Sequence, residues 1–423
     1  MTDLNATQTN IRSNGFVPAV SKDTYDVVVI GGGPSGATAA QDLAIRGYSV
    51  LLIDKPGRIK PCGGAIPPRL IRDFDIPPRL LCARISSARM IAPSDKTVDM
   101  PIDGGYVGMV DREVFDEFLR ERAAECGAER FNGSFDDLER DADGQAVIAF
   151  SAPEEEKASR RVHARMVIGA DGAKSKVKKL GLPNVKPAPC VFAYHEIVST
   201  EPGDTDASPL ADMVDYDGGR CDVYYQGKLS PDFYAWVFPH GKTASIGVGS
   251  ANKGFSLRSA VRTLRADTGL NQMKTVRTEG APIPMKPIKR WDNGKDLIVC
   301  GDAAGVVAPA SGEGIYYAMV CGRYAADAVQ ECLMTANPAA LKTARRKFMK
   351  DHGRVFFVLG LLQYFWYCSD KRREKFVKMC EDEDVQRLTW TAYMNKELVR
   401  RDPLAHIKVF MKDMAQLLGL ARA

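Results

Sequence analysis

At 423 residues the chain exceeds what one ordinary hydrophobic core supports, and two or three domains are expected. Its 45% hydrophobic and 26% charged composition is that of a soluble globular protein, and no run of 18 apolar residues could span a bilayer. Ten scattered cysteines, without a CxxC pair or a His/Cys cluster at ligand spacing, exclude a disulfide framework and a zinc module and imply a reduced, cytosolic-side protein with no metal site. The net charge of +5 is uneven: Leu341–Ala423 holds 18 Lys/Arg against 10 Asp/Glu, leaving 40 against 43 elsewhere. A basic tail suits either a solvated helical face or an anionic lipid surface. Nucleic acid is not expected, because no recognition module accompanies the charge.

Residues 1–22 are polar and lack an apolar h-region, so they read as a disordered leader and not a signal peptide. From Tyr25 the β-branched run to Ile30 predicts a buried parallel strand. Gly31, Gly33 and Gly36 follow at GxGxxG spacing, which serves a tight turn, close approach to a pyrophosphate and close helix packing. Asp54 ends a second strand, Val50–Asp54, where a carboxylate can bind a ribose hydroxyl. The stretch Lys60 to Pro68 is too rich in Gly and Pro for helix or strand and suits a loop against a flat ligand. Asp111 reads as the N-cap of a helix whose apolar positions include Phe115, Phe118 and Leu119.

Residues 130–165 suggest a β-meander, and Met166 to Gly172 a further buried strand ending in Asp171. From about Pro187 to Arg290, Tyr, Val, Pro and Gly with alternating segments predict an antiparallel sheet. Asp296 to Asp302 returns to the strand-and-turn pattern, and Ser311–Ile315 opens a helix running to about Cys332. Residues 337–423 read as almost wholly helical. Within them, Val355–Cys368 is apolar but too short to cross a bilayer; it fits a core helix or an interfacial one, with Lys371, Arg372 and Arg373 at headgroup level.

The GxGxxG turn, Ala170-Asp171-Gly172 and Gly301-Asp302, in this order, resemble the three flavin fingerprints of the para-hydroxybenzoate hydroxylase superfamily. Tyr234, Trp236, Phe238 and Pro239, then seven residues, then Gly247 and Gly249, are similar to the YxWxFPx7GxG signature of geranylgeranyl reductases. The loop around Cys62, the run from Gly312 to Met319 and the tail phrases Asp384–Thr389 and Ala392–Lys396 resemble the chlorophyll and bacteriochlorophyll branch of that family, over roughly Tyr25 to the C-terminus. The fold class implied is α/β: a discontinuous Rossmann-type FAD domain (23–80, 105–185 and 290–336), an antiparallel-sheet substrate domain (81–104 and 186–289) and a helical C-terminal region (337–423). FAD is the implied resident cofactor. Its implied contacts are Gly31, Gly33, Pro34, Ser35, Gly36, Asp54 and Lys55; Cys62, Gly63, Gly64 and Arg112; Asp171 and Gly172; and Gly301, Asp302, Pro309, Gly312, Gly314 and Ile315. Tyr234, Trp236, Phe238, Pro239, Gly247 and Gly249 are the implied substrate residues.

The resemblance implies reduction of three isolated C=C bonds of a geranylgeranyl chain to phytyl, with NADPH as reductant, on a prenyl-pigment or the free diphosphate. An unactivated alkene has no carbonyl to hold charge, so a hydride at one carbon must be matched by a proton donor at the other. A dry apolar cavity is needed as well. Cys62 is the candidate donor; the competing reading is a thiol that merely packs. His195, Glu196 and His240 are less informative, and His240 reads as a surface turn residue. The rivals are an FAD-dependent monooxygenase, a non-catalytic prenyl carrier and an archaeal-type lipid reductase. The implied setting is a bacterium, with the protein peripheral on the cytoplasmic side of a photosynthetic membrane and in reach of other pigment-synthesis proteins.

Overall fold

The computed structural model describes residues 20–57, 59–153, 160–200 and 215–396. The leader up to residue 19 and the end of the helical region, 397–423, lie outside the described residues. The chain enters through β1 (Thr24–Ile30), α1 (Pro34–Ile45) and β2 (Val50–Asp54), then β3 (Ala65–Ile66) and α2 (Pro68–Asp73). Four strands follow: β4 (Leu81–Ile85), β5 (Ser87–Ile91), β6 (Thr97–Pro101) and β7 (Val107–Val110). After α3 (Arg112–Glu125) come β8 (Glu129–Asn132), β9 (Ser134–Arg140), β10 (Ala146–Ser151), β11 (Arg160–Gly169) and α4 (Lys176–Gly181).

The next group is β12 (Cys190–Ser199), β13 (Arg220–Tyr224), β14 (Ala235–His240), β15 (Thr243–Ser250), α5 (Leu257–Asp267) and β16 (Thr275–Pro284). The chain closes with β17 (Leu297–Val299), α6 (Ile315–Thr335), α7 (Lys342–Trp366), α8 (Asp370–Met379) and α9 (Glu383–Asn395).

The fold is α/β, built on two seven-stranded sheets and one small one. In the first sheet β1 lies between β2 and β11, all parallel. β11 is long enough to pair antiparallel with β10 over its first half and parallel with β17 over its end. The carboxyl ends of β1, β2, β11 and β17 therefore meet at one edge, stitched by Gly31 N to Ile53 O (2.8 Å), Ala170 N to Ile30 O (2.7 Å) and Cys300 N to Gly169 O (2.9 Å). This is where parallel α/β sheets place ligands. The strands β1, β2 and β17 are buried along nearly their whole length, on both faces, which explains the unbroken Val/Ile/Leu runs.

The second sheet runs β16-β12-β15-β14-β13-β5-β6, antiparallel except where β13 meets β5. Alternation along β14 divides its side chains cleanly. Ala235 and Val237 pack with α5 through Val261 and Leu264, whereas Tyr234, Trp236 and Phe238 pack on the opposite face with Trp366, Tyr367 and Val377 of the C-terminal helices. Burying an aromatic or branched side chain of this size contributes about 1.5–3 kcal/mol. Those helices are tied down by an arginine assigned above to the membrane surface. Arg373 is 1% exposed and donates to the carbonyls of Tyr367 and Pro231 and to Asp370. It is a structural cation and not a headgroup contact; of the triplet, Lys371 alone is exposed, with Arg372 half-buried over the Phe365 ring. Among the described residues, no helix is long and apolar enough to cross a membrane and no His/Cys/Asp/Glu group could hold a metal ion.

Candidate functional site

At the edge where the parallel strands end, the glycines divide into two roles. A side chain at Gly31, where φ is +104°, would lie 2.3 Å from Ala170 O, and one at Gly36 would lie 1.8 Å from Gly31 O. These two let the turn, the second strand end and α1 close on one another. Gly33 has nothing within 4 Å of such a position, so it faces open space. The N-terminus of α1 begins there with no side-chain cap, leaving its N–H groups and helix dipole for an anion. An uncapped helix start facing open space fits a pyrophosphate.

Asp54 ends β2 beside this turn, paired at 3.0 Å with Arg120, which also donates to Gly32 O. Burial pushes the Asp54 carboxyl up, against the opposing pull of the Gly32 backbone and Arg120. Asp171 accepts from the backbone N–H groups of Lys176 (2.6 Å) and Val177 (3.1 Å), so one of its oxygens holds the start of α4. Asp302 forms an ion pair with Lys60, joining the third strand end to the glycine-rich loop. Lys55 is exposed, and Gly172, at φ +86°, continues the turn after Asp171.

Between the two sheets lies a cavity of about 690 Å³ of empty space, part of it open to solvent. Pro34, Lys60, Cys62, Gly63, Arg112, Asp302, Gly312, Gly314 and Ile315 line one side; Ala193, His195, Trp236, Ala281 and Ile283 line the other. The first fingerprint, the third fingerprint and the Cys62 loop are thus brought together with Trp236. Asp54, Lys55, Asp171 and Gly172 lie outside this lining. So do Ser35, Gly64 and Pro309, the first two behind the turn and loop that carry them.

Arg112 enters the cavity because Asp111 caps α3, accepting from Glu113 N at 3.0 Å. The buried guanidinium grips Asp116 with two bonds of 2.8 and 2.7 Å and reaches the Cys62 sulfur. Burial alone would lower the Arg112 pKa, but Asp116 and Cys62 more than offset it and the group is held charged. Cys62 Sγ also accepts from Gly64 N at 3.4 Å.

On the substrate side, the signature residues other than Trp236 stand behind the wall. Tyr234 OH donates to Ser311 O at 2.6 Å, and Phe238 packs on Gly63. Pro239 continues β14. Gly247 and Gly249 are spaces for rings: side chains there would meet Trp236 Cζ2 at 2.2 Å and Phe233 Cδ1 at 2.6 Å. His240 is not a surface turn residue; half-buried, it lies against Gly64, with Nδ1 3.1 Å from Phe238 O, and burial lowers its pKa.

A network around His195 has no counterpart in the sequence motifs. Glu279, His195, Gly247 and Trp236 occupy one rung across β16, β12, β15 and β14. Because Gly247 has no side chain, His195 and Trp236 reach across it to the same hydroxyl. His195 Nδ1 lies 2.8 Å from Ser245 Oγ, which also accepts from Trp236 Nε1 at 3.1 Å. His195 Nε2 lies 2.9 Å from Glu279 Oε2, and Glu279 pairs with Arg277 at 2.8 Å. Burial would raise the Glu279 pKa, but His195 and Arg277 outweigh it and hold the carboxyl below its usual value. Spacing along the chain could not have revealed this, because it depends on strand register between residues 84 apart.

The loop before α6 is held from the C-terminal side. Ala310, at φ +61°, donates from N to Gln363 Oε1 (3.1 Å) and accepts at O from Tyr367 OH (3.2 Å). Glu313 pairs at 3.0 Å with Lys396, both buried.

A family described as FAD binding domain matches residues 83–350, and one described as NAD(P)-binding Rossmann-like domain matches residues 29–83. The two matches share the first sheet, since β1 and β2 fall in one and β11 and β17 in the other. FAD and a nicotinamide reductant are the cofactors these matches support. The chain is 55% identical to the geranylgeranyl diphosphate reductase of Rhodobacter capsulatus, across 94% of this chain and 98% of that one. It is 35% identical to the geranylgeranyl diphosphate reductase of Synechocystis, across 93% and 97%. The crystal structure of a geranylgeranyl bacteriochlorophyll reductase-like protein from Thermoplasma acidophilum shares the fold, with a TM-score of 0.74 at 23% identity over 90% of this chain and 99% of that one. Identity of this order over nearly the whole length, on this fold, means that the chain belongs to the geranylgeranyl reductase family of FAD-dependent oxidoreductases.

Proposed function

We propose that the chain saturates the three isolated C=C bonds of a geranylgeranyl chain to give phytyl, with NADPH as reductant, in (bacterio)chlorophyll biosynthesis. The observation that carries this reading is the cavity itself, which joins the dinucleotide turn to the Trp236 wall. Gly33 and the start of α1 hold the cofactor's pyrophosphate on the turn that Gly31 and Gly36 close, Asp54 its ribose, and the loop Gly312–Ile315 its ring. FAD, when bound, supplies a hydride for one alkene carbon. Trp236, Ala193 and Ile283 give the prenyl chain an apolar wall and exclude water, which strengthens every charge interaction inside. Cys62 Sγ holds the proton for the opposite carbon, and the Arg112 guanidinium beside it accommodates the thiolate left behind. We further propose that the protein works peripherally at an anionic membrane surface, where a lipophilic substrate resides.

Anaerobic incubation of the yellow, FAD-loaded protein with NADPH and either geranylgeranyl-bacteriochlorophyll or geranylgeranyl diphosphate, followed by mass analysis, tests the reaction. Successive gains of two hydrogens, up to six, are expected, and the substrate form that gains them first is the preferred one. No gain in mass, or oxygen uptake driven by substrate under air, would overturn the reading. Cys62→Ser is expected to keep FAD and lose turnover; full turnover would remove the proton role of the thiol.

A further inference from the structure

Helix α7 carries a stripe that nothing in the reaction uses. Arg346, Lys350, Arg354, Phe357, Leu361 and Tyr364 follow one another at three- and four-residue steps, so they share one face. Phe357 and Tyr364 are 72% and 74% exposed and Leu361 is 45% exposed. Among the described residues no other element presents exposed large hydrophobics at helical spacing. Arg346, Lys350 and Arg354 are not ion-paired among the described residues, and Lys371 stands exposed just past the helix. Asp351, the one acidic residue of α7, sits off the stripe and accepts from Tyr324 OH at 2.6 Å.

The opposite face of the same helix is committed inward. Phe348, His352 and Phe356 pack on Trp291 and Tyr317. Gly360 lies against Pro309, and Gln363 holds Ala310 N. One face of α7 therefore touches the loop that lines the cavity, while the other shows basic and then apolar side chains to the outside. A helix is only about 10 Å across.

We propose that the outer face of α7, from Arg346 to Tyr364, docks on an anionic bilayer surface. Phe357, Leu361 and Tyr364 enter the headgroup–acyl boundary, and Arg346, Lys350 and Arg354 meet the anionic headgroups. Charge selects the bilayer as occupant: an unpaired basic run in line with an apolar one complements phosphate above acyl chain. The arrangement brings a membrane-borne prenyl chain within about one helix diameter of the loop, Pro309–Gly314, whose far end lines the cavity. The inference rests on the peripheral attachment proposed above and names the surface responsible.

The test is flotation of the full-length, FAD-loaded protein with phosphatidylcholine vesicles, with and without about one-third phosphatidylglycerol. Parent protein should float with the anionic vesicles. The triple variant Phe357→Ser, Leu361→Ser, Tyr364→Ser should bind them about tenfold more weakly. It should keep its flavin absorbance and its turnover of detergent-dispersed substrate, and lose turnover of vesicle-borne substrate to the same degree. A triple variant that floats like the parent overturns this surface and leaves the attachment standing. A parent that floats with neither vesicle removes the attachment and the surface together. A parent dimer that the triple variant dissociates assigns the face to a second copy of the chain and overturns the inference too.

Discussion

The two walls of the cavity are made of different material. On the side of the parallel sheet the wall combines backbone and small residues, Gly63, Gly312, Gly314 and Pro34, with the charged Lys60, Arg112 and Asp302. On the side of the antiparallel sheet it is side chains, with Trp236 and His195 held by Ser245 and by the half-buried Glu279–Arg277 pair behind them. Backbone can recognise only what every dinucleotide shares, a pyrophosphate and a flat ring. The side-chain wall is where shape and polarity vary, so in the function proposed above it is the wall that would set what is reduced. The difference gives each wall its own failure mode: added atoms should ruin the first, and lost polar partners the second.

The largest effect is expected at Gly36. A methyl group there would sit 1.8 Å from Gly31 O, and backbone has nowhere to move. Gly36→Ala should cost more than about 3 kcal/mol and yield colourless protein or none. Gly33→Ala is the contrast. Nothing lies within 4 Å of its new methyl group, so folding should be normal, while FAD should bind more weakly on the proposal that its pyrophosphate sits at this turn. Thermal unfolding read beside flavin absorbance separates the two. Equal losses of stability in both variants would mean that Gly33 also serves packing and that the division of roles is wrong.

Glu313→Gln probes the seam between the cavity and the C-terminal helices. It leaves Lys396, 3% exposed, without its anionic partner, a change that costs about 3–5 kcal/mol in buried pairs. Glu313→Gln combined with Lys396→Met, which removes both charges of the pair, should cost far less than Glu313→Gln alone. Burial already lowers the Lys396 pKa against the pull of Glu313. Its charged form is therefore disfavoured in the folded state, and stability rises with pH between the folded value and the ordinary 10.5. Urea unfolding of Glu313→Gln should show the deficit shrinking as pH rises toward 10.5. A deficit that does not change with pH would place its cause elsewhere than in the lysine charge.

These seams also mark how far the sequence could be read. The parallel strands, the glycine turn and the Asp111 cap are set by residues within one turn or strand of each other, and each is visible as spacing. The alternation of Tyr234, Trp236 and Phe238 is equally local, and it places the three rings on one face. The reason for Gly247 is not local. It becomes clear only when β15 lies between β12 and β14 and two large side chains must meet above it. Arg373 misleads for the same reason: in sequence it is one of three basic residues, and only the packing of α8 on Pro231 shows which of them is buried.

A smaller effect is expected at Glu279. Glu279→Gln keeps the shape and removes the charge that faces His195 and Arg277, costing about 1–2 kcal/mol. Since the folded-state pKa of Glu279 is depressed, its contribution is present above the ordinary 4.5 and is lost as pH falls through the folded value. Acid unfolding of the parent should therefore steepen below pH 4.5 relative to the variant. Because Ser245 couples His195 to Trp236, the indole emission should shift as well. Unchanged emission would show that the rung holds the sheet but does not orient the wall.

Tyr234→Phe is expected to do least, and it asks whether the two walls are independent. The ring should stay, because it stacks on Phe233 with centroids 4.1 Å apart and meets Trp236 edge-on at 5.9 Å. Only the 2.6 Å bond to Ser311 O is lost, worth about 1 kcal/mol. Tyr234 stands behind the side-chain wall and packs on Trp236, yet that bond ends on the loop of Gly312 and Gly314. If the substrate sheet helps hold the cofactor loop, FAD should dissociate about fivefold more readily, in line with 1 kcal/mol. Ala310, on the same loop, is still fixed by Gln363 and Tyr367, so a larger loss is not expected. Unchanged FAD affinity with lowered stability would mean that the bond fastens the sheet to the loop without shaping it, and that the backbone wall stands without help from the other.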